Sequence, residues 1–101
     1  MNRLGLSPAA RADLSNIWDY TAKTWGIDQA ETYVRALDKA LQSLAGTPGL
    51  GRRIDGIRPG YLKFPAVSHV IFYKLAAPGI DVIRILHKSM DVERNIQSKP
   101  S

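Results

Sequence analysis

The chain has 101 residues, carries a formal net charge of +5 and contains no cysteine. That length suits one domain around one core, and the missing cysteines exclude disulfides and thiolate metal sites. No apolar run approaches the roughly 18 residues of a membrane span, and the N-terminus lacks a secretory signal's apolar stretch, so a cytoplasmic protein is expected. The charge is uneven: residues 1–50 hold five basic and five acidic side chains, whereas residues 51–101 hold nine and four. An excess confined to one half suits an acidic partner, either nucleic acid or an acidic protein segment, or simply a solubilising surface.

In chain order, a first strand is expected within residues 1–6, over Arg3 to Leu6. Ser7 then caps a helix that Pro8 opens, since proline's missing N–H costs nothing there. Ala10, Leu14, Ile17, Trp18, Thr21 and Trp25 form its apolar stripe, which assigns both tryptophans to the core. Gly26 ends it, as glycine commonly does. Asp28, with Glu31 three residues on, reads as the cap of a second helix. Its stripe is Ala30, Val34, Leu37, Leu41 and Leu44. The two helices form a hairpin over residues 8–45.

Residues 46–56 are rich in turn formers and read as a loop holding Arg52 and Arg53. Three strands follow as an antiparallel meander over residues 57–87: Ile57 to Phe64, Val67 to Leu75, and Ile80 to His87. Pro65-Ala66 and Ala77-Pro78-Gly79 are the expected turns. Phe72 and Tyr73 must face opposite sides, one beneath the helices and one on the open face. The tail, residues 88–101, is polar, with Val92 and Ile96 at a helical spacing. The class is α+β, in the order β-α-α-β-β-β, with the helical hairpin packed on the sheet.

Specific chemistry is sparse. His69 and His87 lie on adjacent strands without the carboxylate cluster a zinc site needs, so no metal is expected. The glycines of residues 46–51 lack the Lys-Ser/Thr ending of a phosphate loop and follow a helix rather than a strand. Metal-independent RNA cleavage needs a base, an acid and phosphate-binding cations. His87, Arg84, Arg58 and Lys63 could converge on the sheet, but the tail offers no tyrosine and no second histidine. Arg84 stands inside a strong strand, on the face of Val82 and Leu86, so it either extends from an exposed face or pairs with an acid. A buried pair would need good geometry to offset desolvation.

The stretch Leu6-Ser7-Pro8-Ala9-Ala10-Arg11-Ala12-Asp13-Leu14, continuing through Ile17-Trp18-Asp19-Tyr20 to Trp25-Gly26, resembles the opening of ParE toxins. These belong to the RelE/ParE superfamily of toxin–antitoxin systems. Pro48-Gly49-Leu50-Gly51, Ser68-His69-Val70-Ile71-Phe72-Tyr73 and Val82 through Asp91 resemble the family in the same order. The resemblance implies a strand, a helical hairpin and an antiparallel sheet. It further implies a non-enzymatic toxin without cofactor that poisons DNA gyrase. A ParD-type antitoxin would neutralise it in a hetero-oligomer, and no sequence-specific nucleic-acid contact is implied. The rival RelE branch cleaves ribosome-bound mRNA with several Lys/Arg residues and usually a C-terminal Tyr; here Met90 stands in a tail without Tyr. On the ParE reading, Arg84, His87, Lys88, Met90 and Arg94 are the candidate gyrase contacts, Met90 as an adaptable apolar one.

Overall fold

A computed structural model describes residues 3–56 and 58–90. The elements are β1 (Leu4–Leu6), α1 (Pro8–Trp25), α2 (Ile27–Gly46), a short 3₁₀ turn (Pro48–Leu50), β2 (Arg52–Arg53), β3 (Tyr61–Ala66), β4 (His69–Ala76) and β5 (Gly79–His87). The sheet order is β1-β5-β4-β3-β2, antiparallel except where β1 lies parallel to β5. The α+β class and the helical hairpin on an antiparallel meander are as expected from the sequence.

Ser7 joins the layers. Its Oγ accepts the Ala10 N–H at 2.9 Å and its hydroxyl donates to the Ile83 carbonyl at 2.7 Å. One side chain therefore caps α1, worth about 1 kcal/mol, and ties that helix end to β5. Gly26, at φ +101°, is the sole residue between the helices, a backbone state that favours glycine. The helices cover one sheet face. There Leu37, Leu44, Ile71, Tyr73, Ile80 and Val82 are fully buried, each large aliphatic contributing roughly 1.5–3 kcal/mol.

Five local expectations change. Asp28 does not cap α2: Gly26 takes that position without a side-chain bond, and Asp28 sits in the first turn, where its charge suits the helix dipole. The 46–56 loop contains β2, because Tyr73 pins it to the sheet. The Tyr73 hydroxyl accepts the Gly51 N–H at 2.8 Å and donates to the Pro48 carbonyl at 2.7 Å. The third strand begins at Tyr61 rather than at Ile57, which lies outside the described residues. Before it, Pro59-Gly60 is a turn, with Gly60 at φ +84° donating its N–H to Asp55.

The next turn falls at Val67-Ser68, not Pro65-Ala66. Pro65 stays in β3 opposite Val70, beyond the end of β2, where no partner strand needs its N–H. Finally, Tyr73 lies opposite Val82 and Phe72 opposite Arg84, so Ile83 is an extra residue in β5. This bulge reverses the side-chain alternation. Val82 packs beneath the helices, while Leu86 joins Phe72 on the far face. That far face is partly closed too: Ile54, Tyr61 and Val70 pack over Phe72 and Leu86.

Candidate functional site

The bulge is also where α1 meets β5. Arg84 donates from Nε and Nη2 to the two carboxylate oxygens of Asp13, at 2.8 and 2.9 Å, and Asp13 Oδ2 also accepts the Ile85 N–H at 2.8 Å. Both side chains are largely buried, 24% and 12% exposed. The hydrogen bond that Arg84 donates to Asp13 raises the Arg84 pKa, against a smaller opposing effect of burial. Of the two readings of Arg84, pairing with an acid is the one the fold adopts.

Beside this pair runs a groove of about 780 Å³ between α1, the start of α2 and the ends of β4 and β5. Ile17, Tyr20 and Trp25 line it from α1, Gln29 and Tyr33 from α2, and His69, His87 and Met90 from the sheet side. Helical spacing on α1 brings Ile17, Tyr20 and Thr21 to this edge. Trp25, 70% exposed, and Tyr20, 68% exposed, project at its wall with Met90, 43% exposed. Trp25 thus leaves the core position its place in the stripe suggested. It occupies the last turn of α1, next to Gly26.

A polar network forms the floor. The Ser68 N–H donates to the Tyr33 hydroxyl at 3.0 Å, which lies 2.6 Å from His69 Nδ1. His69 and His87 are cross-strand partners whose rings meet edge to face, 5.3 Å between centroids. His87 Nδ1 lies 2.8 Å from the Ser89 hydroxyl and 3.2 Å from the Ser89 amide nitrogen, which turns the chain just after β5 back onto the ring. Burial, and secondarily the neighbouring His87, lower the His69 pKa from its ordinary value, with Asp13 partly opposing them.

Three of the sequence-derived candidates, Arg84, His87 and Met90, meet at this groove. Arg84 is engaged by Asp13 and holds the wall. Lys88 is exposed just beyond, its N–H donating to the Ser68 carbonyl at 3.0 Å, and does not line the groove. Arg94 lies outside the described residues. Sequence reasoning missed Asp13, Tyr20, Trp25, Tyr33 and His69 as parts of one site. Only a lone cation inside an apolar strand signalled the first. Arg58 and Lys63 do not converge with His87: they lie on the far sheet face, as the cross-strand register places Lys63 beside Phe72 and Arg58 stacks over Tyr61. Among the described residues no three His or carboxylate side chains cluster as metal ligands, and no helix is long and apolar enough to cross a membrane.

Known proteins resemble this chain in sequence over nearly its whole length. Residues 4–92 match the family described as ParE toxin of type II toxin–antitoxin system, parDE. The toxin ParE1 of Mycobacterium tuberculosis is 52% identical over 96 residues, covering 94% of this chain and 98% of that protein. The toxin ParE1 of Caulobacter vibrioides is 37% identical over 91 residues, covering 90% and 94%. A solved structure of the chromosomal ParDE TA system from P. aeruginosa superposes with a TM-score of 0.74 at 20% identity, covering 86% of this chain and 96% of that one, which concerns the fold alone. This chain therefore belongs to the ParE toxin family of type II toxin–antitoxin systems.

Proposed function

We propose that this toxin acts in the cytoplasm as a binding protein, docking on DNA gyrase and trapping its cleaved-DNA state rather than catalysing a reaction. The observation that carries this reading is the gathering of Tyr20, Trp25 and Met90, all strongly exposed, beside His87 at one groove. Large exposed aromatics clustered around a concave surface suit a protein partner's anchor residues. His87, Lys88, Met90 and Arg94 remain the proposed contacts. Arg84 serves by holding β5 against α1.

A ParD-type antitoxin neutralises the toxin in a hetero-oligomer, laying an acidic segment over the helical hairpin and the sheet edge. The surplus cations of residues 51–101 add a general electrostatic attraction for an acidic chain, without being its contacts. The relatives' names and the ParDE complex sharing the fold support an antitoxin partner.

One observation favours the rival, RelE-like mRNA cleavage: Tyr33, His69 and His87 adjoin one another and could exchange protons. Against it, the cation beside them, Arg84, is spent on Asp13. Gyrase supercoiling and cleavage-complex assays run beside in vitro translation decide the matter. Gyrase inhibition with intact mRNA is expected; mRNA cleavage with unaffected gyrase would overturn the proposal.

A further inference from the structure

The sheet face turned away from the helices holds charges that the groove does not use. Arg52 and Lys63 are directly opposed across β2 and β3. Like charges so placed repel, and neither forms an ion pair among the described residues. Lys74 lies opposite Tyr61 on the same face and is also unpaired. Its cross-strand neighbour Asp81 is held at 2.7 Å by Arg3. Arg58 stacks over the Tyr61 ring, 5.8 Å from its centroid. The nearby carboxylate Asp55 is occupied by Arg53 and by the Gly60 N–H, and both bonds lower its pKa. Four cations thus share one face whose neighbouring acids are already engaged.

We propose that this face binds the phosphate backbone of duplex DNA through Arg52, Arg58, Lys63 and Lys74, without regard to base sequence. A protein partner would need apolar anchors, and none of the strongly exposed large apolar side chains among the described residues occupies a strand position on this side. Phe72 and Leu86, which do face it, are buried. Single strands bind through exposed aromatic platforms. Here the one candidate ring, Tyr61, is covered by Arg58 and packed against the Phe72 cluster. The edge strand β2 is short and charged, which discourages an added peptide strand. What remains is an array of cations on a sheet, suited to phosphates whose bases stay stacked inside a duplex. The proposal stands apart from the gyrase reading, since it concerns the opposite side of the molecule.

Fluorescence anisotropy of the full chain with a short labelled duplex tests it. Four phosphate contacts give a log–log salt slope of about −3.6, a loss of about 150-fold between 50 and 200 mM salt. The double variant Arg52→Gln/Lys63→Gln halves the slope and weakens binding by about tenfold or more at low salt. The double variant Lys23→Gln/Lys39→Gln, equal in charge but on the helices, leaves the slope unchanged. Should the first variant unfold, Lys74→Gln alone, at an exposed position, reads the same effect as a slope loss of about 0.9. Equal losses in the helix variant would overturn the proposal. So would a negligible slope, or displacement of the duplex by single-stranded RNA or polyglutamate at lower concentration than by unlabelled duplex.

Discussion

Asp13 spends both carboxylate oxygens on Arg84 and uses one of them a second time for the Ile85 amide, so a single acid closes the bulge of β5 against α1. Removing the cation strands a mostly buried carboxylate. Arg84→Ala should therefore cost about 3 kcal/mol, the lower end for a broken buried pair because water still reaches the guanidinium. Asp13→Asn keeps an acceptor for Ile85 and should cost less. Urea unfolding of both, with Arg84→Ala no less stable than Asp13→Asn as the contrary result, checks the order.

Tyr20 and Trp25 should separate toxicity from stability. Both are more than two-thirds exposed, so Tyr20→Ala and Trp25→Ala should change unfolding free energy by no more than about 0.5 kcal/mol. If they anchor the target, each should weaken gyrase inhibition by about tenfold or more, the scale of an interface hot spot. Inhibition curves beside thermal melts give the comparison, and a folded, fully active Trp25→Ala would remove the groove from the gyrase contact.

The floor of the groove should make stability depend on pH. The folded chain holds His69 neutral more firmly than the unfolded chain does, so the unfolded state binds the extra proton first as pH falls. Stability should be complete above the ordinary histidine value near 6.5 and decline as pH drops from there toward the lowered folded value. Asp13, whose charge favours protonated His69, moderates the effect. His69→Gln, which can still accept from Tyr33, should flatten the difference between unfolding curves at neutral and mildly acidic pH.

Gly51 offers a test of how β2 is held. A methyl group there would run into the Tyr73 hydroxyl and the Lys63 carbonyl. Gly51→Ala should destabilise by about 1–3 kcal/mol, as overpacking does. Gly49→Ala, in open space two residues earlier, should be near neutral. Equal midpoints for the two variants would mean that the Tyr73 tether is dispensable.

Periodicity disclosed the helices and the meander because each depends on local spacing, with Ser7, Pro8 and Gly26 marking boundaries by their own chemistry. It could not disclose β2, whose two residues form a strand only because Tyr73, twenty or more positions later, reaches across to Pro48 and Gly51. The bulge at Ile83 was likewise hidden, being a mismatch between two strands rather than a property of one. That mismatch misdirected the faces given to Arg84 and Leu86. Trp25 misled for a different reason: a helical stripe says which side a residue faces, but not whether the sheet beneath extends far enough to cover it. His69 and Tyr33 are 36 positions apart and meet only in the fold.

The parallel pairing of β1 with β5 sets Leu4 against Ile80 and Leu6 against Val82. β1 thus finds its sheet partner more than seventy residues later in the chain. A nascent chain that has made both helices still lacks β5, so the wall formed by Arg84 to His87 does not yet exist, and the helices have no finished sheet to cover. Contacts of such long range form late and slowly. A chain cut short before β5 therefore has no groove to present, because Arg84 to His87 line it from the sheet side.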